Sequence, residues 1–107
     1  MNQNRIQRIE RKIDGIKEEL KHIGAMRPGS LTRQFKDPRR KTGAYWQISY
    51  TRQMKSRTEY VRKEWVTELR RQIASHKRFK QLVDQWVDLS IEHSQLTMRI
   101  AEPGTTR

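Results

Sequence analysis

Three features of this chain predict an α+β fold, mostly helical: a heptad seam near the N-terminus, a central cluster of strand-prone aromatic residues, and one long helical pattern after it. The seam is Ile6, Ile9, Ile13, Ile16, Leu20 and Ile23, spaced 3-4-3-4-3. That spacing draws one apolar stripe along a helix over 4–24. The positions between are almost all charged, so this helix needs a second helix to cover its seam. Asn4 with Gln7 has the form of a capping box and Gly24 that of a C-terminal stop. Gly15, inside the helix, costs about 1 kcal/mol relative to alanine.

Residues 25–43 break the pattern and are expected to form a basic loop. Met26-Arg27-Pro28-Gly29-Ser30-Leu31 contains a Pro-Gly pair suited to a type II turn. Asp37-Pro38 then leads into an exposed tract, Arg39, Arg40 and Lys41. Residues 44–61 carry strand-prone types on either side of Arg52-Gln53-Met54-Lys55 and predict a β-hairpin. No glycine fixes its register, so alternation decides. Placing Tyr50 opposite Ser56, Ile48 opposite Thr58 and Trp46 opposite Tyr60 gathers the large side chains on one face. Gln47, Ser49, Lys55 and Arg57 then share the other.

Residues 62–101 form a long helix with two apolar faces. Trp65, Val66, Leu69 and Ile73 suit covering the hairpin. Phe79, Leu82, Trp86, Leu89, His93, Leu96 and Ile100 make a second heptad seam, with His93 as a polar member satisfied within it. The two seams span about 27 and 32 Å, and the charges of their helices are opposite in balance. The helix ends are therefore expected to pair as an antiparallel coiled coil. Residues 102–107 are left as a tail, and 1–107 as a single elongated module.

Composition narrows the function classes. The 107 residues include 33% hydrophobic residues and no cysteine, with a net charge of +12. A thick core is beyond such a chain, and disulfides and thiolate metal sites are excluded. No apolar run approaches a membrane span, and no signal-peptide stretch opens the sequence, so a cytoplasmic protein is expected. Between Arg27 and Lys80 stand 16 Lys/Arg against four acids, while the flanks hold eight of each. A basic block of that size repels itself on folding, which points to a polyanionic partner.

Catalytic signals are weak. His22, His76 and His93 are scattered, Asp84 and Asp88 lack a third ligand, and Ser90 with His93 lacks an orienting acid. No phosphate loop or metal motif occurs, so no enzyme activity, cofactor or metal is expected. The candidate site is for nucleic acid, with DNA favoured over RNA. Lys55 and Arg57 serve as phosphate partners, Gln47 and Ser49 reach base edges, and Arg39, Arg40 and Lys41 clamp the backbone. Trp46 and Tyr50 are assigned to the core rather than to base stacking.

The phrases Met26-Arg27-Pro28-Gly29-Ser30-Leu31, then Gly43-Ala44-Tyr45-Trp46-Gln47-Ile48-Ser49-Tyr50-Thr51, then Arg57-Thr58-Glu59-Tyr60-Val61, followed by Arg78-Phe79-Lys80-Gln81-Leu82, resemble a small bacterial family of uncharacterised proteins. Members of that family are commonly encoded beside or within insertion-sequence transposases. Many carry a cysteine cluster suggestive of a zinc knuckle between the first two phrases. Here residues 32–42 contain no cysteine, so that metal is not carried over. The resemblance implies a mobile-element context. The expected function is a non-enzymatic nucleic-acid-binding accessory protein, monomeric or a homodimer through the seams. The alternative is a helical adaptor that docks on an acidic surface of a partner such as a transposase or nuclease.

Overall fold

The computed structural model describes residues 2–101. Helix α1 (Asn2–Lys21) is followed by strands β1 (Ser30–Asp37), β2 (Thr42–Arg52) and β3 (Lys55–Val61), one 3₁₀ turn (Lys63–Trp65) and helix α2 (Val66–Ala101). The strands form an antiparallel meander in the order β1-β2-β3. The chain divides into two compact units. One comprises residues 1–23 with 79–107, and the other is Gly24–Arg78. The α+β class and the helix–sheet–helix order agree with the sequence. The tail expected over 102–107 lies outside the described residues.

In the helical unit the seams bury each other. Ile9 and Ile16 of α1 and Leu82 and Leu96 of α2 are buried, and the remaining α1 seam residues are half-buried. Arg5 pairs with Glu92 near one end, and the Lys17 ammonium lies 5.4 Å from the Trp86 ring further along. The start of α1 thus meets the later part of α2 and its end the earlier part, so the helices run antiparallel. His93 Nε2 lies 3.0 Å from Glu10 Oε2, which supplies the polar satisfaction expected of a seam histidine. The capping box is not used: α1 begins at Asn2, and Asn4 and Gln7 lie inside it.

In the sheet unit several expectations are corrected. Residues 25–43 are not all loop, because Ser30–Asp37 is a strand paired to β2, with Leu31 opposite Ile48 and Arg33 opposite Trp46. Its inward positions are Leu31, Arg33 and Phe35. An arginine between two apolar residues masks the period-two signal, although its guanidinium lies 5.4 Å from the Phe35 ring. The Pro-Gly pair does not turn. Residues 26–29 carry no turn or strand, and Gly29 runs at φ 142° against Ile48. Finally, the long helix starts at Val66, four residues later than expected, and Trp65 is 56% exposed rather than packed.

The hairpin register differs by one residue from the expected one. Trp46 faces Val61, Ile48 faces Glu59, Tyr50 faces Arg57 and Arg52 faces Lys55. The strands close through two residues, Gln53 and Met54, at φ 52° and 65°. A two-residue loop with both central residues left-handed is the turn whose twist matches the strands. Its geometry fixes the register despite the lack of glycine. The register also carries Val61 inward, where Ile48, Val61, Val66 and Leu69 form the core with Leu31, Trp46 and Ile73 against it.

The segment before β1 is a clasp on this core. The Arg27 N–H donates to the Gln72 carbonyl at 3.1 Å, and its guanidinium donates to Glu59 Oε1 at 2.6 Å. The same guanidinium lies 5.3 Å from the Tyr50 ring, and the Tyr50 hydroxyl donates to Glu59 Oε2 at 2.8 Å. One arginine thus links α2, β2 and β3. The two hydrogen bonds hold the Glu59 carboxyl below its usual range.

Candidate nucleic-acid interface

Direct partners share a face in an antiparallel sheet, so the corrected register redistributes the candidate residues. The inward face carries Leu31, Arg33, Phe35, Trp46, Ile48, Tyr50, Arg57, Glu59 and Val61. The outward face carries Thr32, Gln34, Tyr45, Gln47, Ser49, Thr51, Ser56, Thr58 and Tyr60. Gln47 and Ser49 remain together on the outward face, as expected. Lys55 and Arg57 move to the other face, with Tyr50. Phosphate and base contacts from these four residues therefore do not converge on one surface.

The basic tract is also apart from Lys55 and Arg57. Asp37 and Pro38 open the β1–β2 turn. Asp37 Oδ1 accepts the Arg40 N–H at 3.2 Å, a local bond that presets this turn. Arg40 and Lys41 are exposed, and Lys41 adopts φ 53°. β2 is 11 residues long, so the two turns stand about 33 Å apart at opposite ends of the sheet. Arg39, Arg40 and Lys41 mark one end, Lys55 the other.

What the corrected register brings to the outward face is aromatic. Tyr60 lies opposite Gln47, and Tyr45 opposite Gln34. Tyr60 is 72% exposed. Tyr45 and Tyr60 line a surface concavity of about 490 Å³ together with Lys36 and Ala44. Gly43, at φ 69°, makes room there: a Cβ on it would come within 3.0 Å of the Lys36 side chain. The lysine stem therefore lies flat over Gly43. Apart from Lys36 the side chains of this face are uncharged, with hydroxyls paired across strands, Ser49 to Thr58 at 3.1 Å and Thr51 to Ser56 at 3.2 Å. The aromatic pair escapes a sequence reading because the slipped register turns Tyr60 inward. Val61 was the signal: it is the only aliphatic residue of β3, and a valine there belongs in the core.

Trp46 and Tyr50 occupy the inward face, as assigned, and each carries a cation. The Arg70 guanidinium lies 5.3 Å from the Trp46 ring, and Arg27 covers Tyr50. Among the described residues no three His, Asp or Glu side chains are placed to hold a metal ion. No described helix is long and apolar enough to cross a membrane.

Charge follows the structural division. Gly24–Arg78 holds 15 Lys/Arg against four acids, a net +11, while the helical unit holds nine against eight, a net +1. Three of the four acids in the sheet unit are each engaged by one arginine: Glu59 by Arg27, Asp37 by Arg40 and Glu68 by Arg71.

Fold and charge together define a small basic sheet-and-helix module joined to a nearly neutral helix pair. Residues 4–71 match the family model described as Domain of unknown function (DUF6788), and the chain belongs to that family. The match takes in α1, the whole sheet and the first residues of α2. No curated protein and no solved structure matches the chain.

Proposed function

We propose that the chain is a non-enzymatic nucleic-acid-binding protein whose sheet unit meets the polyanion. The observation that supports this is the concentration of the +11 charge within the 55 residues of Gly24–Arg78. Concentrating like charge in one small folded unit opposes its stability; a phosphate backbone offsets that repulsion with its own negative charge, and release of its counterions drives the association. Attachment to a mobile genetic element belongs to the same proposal and draws on the phrases at 26–31 and 43–51. A cytoplasmic location is proposed with it.

The adaptor reading has its own observation. On α2, Val87, Ile91 and Met98 are exposed, and with Val83 they form an apolar stripe at helical spacing. Such a stripe suits a helix of a protein partner, a transposase or nuclease in this reading.

Fluorescence anisotropy with labelled single- and double-stranded DNA and RNA separates the two. Nucleic-acid binding predicts affinity that falls steeply with salt, with a slope of about −0.7 to −0.9 per phosphate contacted. The probe should be displaced by unrelated nucleic acid far better than by polyglutamate. Replacing Arg39 and Lys41 with alanine should cost more affinity than replacing Arg8 and Lys12 in the helical unit. No binding to any of the four probes at moderate salt refutes the proposal and leaves the adaptor reading.

A further inference from the structure

We infer that the outward sheet face is a platform for single-stranded nucleic acid, with bases stacked on Tyr60 and Tyr45 and the backbone held by Lys36 and the β1–β2 turn. This rests on the nucleic-acid reading above and specifies the strand state and the surface. A tyrosine 72% open to solvent near the end of edge strand β3, beside a second one, leaves apolar ring area in water. The core residues all lie on the opposite face, so these rings contribute nothing to the core.

Stacking needs a π-face, and only unpaired bases offer theirs, because a duplex hides its base planes within the stack. The surroundings of the rings suit bases rather than phosphates: Gln34, Gln47, Thr32 and Thr58 are neutral donors and acceptors. Neutral amides and hydroxyls can bond base edges without demanding a charge in return.

Lys36 lines the same concavity as the two rings. Arg39, Arg40 and Lys41 follow in the turn at this end of the sheet, and Arg62 follows β3 there. Cations therefore border the aromatic patch at one end. Rings for bases flanked by cations for phosphates is the arrangement a single strand requires. The expected residues Gln47 and Ser49 become part of this platform, while Lys55 and Arg57 fall outside it.

The test uses the full chain with labelled 12-nucleotide oligo(dT) and a 12-base-pair duplex of mixed sequence, at several salt concentrations. Wild type should bind the single strand more tightly than the duplex. Tyr60→Ala should weaken single-strand binding about tenfold and Tyr45→Ala/Tyr60→Ala further. Tyr60→Phe should retain it. Because no charge changes, the salt slope should stay constant across the tyrosine variants, whereas Lys36→Ala should make it shallower by about 0.7. Melting curves check that each variant is folded, and Tyr60→Phe keeps the ring test valid should an alanine variant unfold. Wild-type binding that survives the double tyrosine variant overturns the platform while leaving nucleic-acid binding intact. So does a preference for duplex. Binding to neither probe overturns both.

Discussion

Gly29→Ala should be among the most damaging single substitutions in the sheet unit. A Cβ at residue 29 would sit 2.8 Å from Ile48 Cγ1, 2.9 Å from Ile48 Cδ1 and 3.2 Å from the Ser49 carbonyl oxygen. Ile48 is fully buried at the centre of the core, so it has nowhere to retreat. Overfilling such a site costs about 1–3 kcal/mol. Holding an alanine at φ 142° adds about 1–3 kcal/mol of backbone strain. Together, about 2–6 kcal/mol is set against a stability of about 3–8 kcal/mol for a unit of this size. Ile48→Ala alone should cost about 2–5 kcal/mol, yet it removes the two carbons that the new methyl strikes. The double variant should therefore lose less than the sum of the singles, by about the steric 1–3 kcal/mol. Urea unfolding followed by circular dichroism and tryptophan fluorescence measures all four proteins, in a Met54→Gly background if more margin is needed. A Gly29→Ala protein within about 0.5 kcal/mol of wild type, or a cycle that is additive, refutes this account of the clasp.

Met54→Gly itself should stabilise the hairpin by about 1 kcal/mol in the same unfolding assay. Met54 is 98% exposed and holds a left-handed φ that glycine adopts freely. Gly15→Ala should also stabilise, by about 1 kcal/mol, since a Cβ there meets no atom within 4 Å; a lower melting temperature would contradict it. Ile16→Asp, at a buried seam position, should cost several kcal/mol and reduce helicity in α1 and distal α2 together. Near-wild-type circular dichroism would show that the seams do not bury each other. Because Glu59 titrates below its unfolded value of about 4.5, its bonds to Arg27 and Tyr50 stabilise the fold above that pH. This contribution is lost as pH falls through the lower folded value. Glu59→Gln should therefore flatten the decline in melting temperature below about pH 4.5, and an unchanged acid limb would refute the link.

Regular repetition was legible in the sequence, and single-residue geometry was not. The α1 seam is six residues of one kind at strict spacing, so its helix and its antiparallel mate could be read directly. The polar His93 also fell into place, because a seam position dictates its surroundings. β1 was missed because Arg33 sits inward between Leu31 and Phe35. Its guanidinium rests on the Phe35 ring, so a charged residue occupies a position that alternation reserves for apolar ones. The hairpin register was misread because Gln53 and Met54 make a turn that asparagine and glycine normally make. One residue of slip then exchanged the faces of Tyr60, Lys55 and Arg57, and the candidate site changed with them. The Met26–Leu31 phrase has the composition of a turn. Its role, a glycine pressed on Ile48 beside an arginine that ties two strands to α2, depends on contacts distant in sequence.

A three-stranded meander has two open edges, and among the described residues β1 and β3 are each paired on one side only. Such edges recruit further strands and seed aggregates unless something discourages the approach. Arg33 and Lys36 punctuate one edge, and Lys55 and Arg57 the other. Two copies meeting edge to edge would bring like charges together before any backbone hydrogen bond formed. These cations are thus gatekeepers of solubility irrespective of any ligand. It follows that neutralising several of them at once, in order to map binding, invites precipitation that would mimic lost affinity. Charge reversal to glutamate at both edges together removes phosphate attraction while copies meeting edge to edge still carry like charges. Those variants, rather than alanines, will distinguish a cation that holds a ligand from one that keeps sheet edges apart.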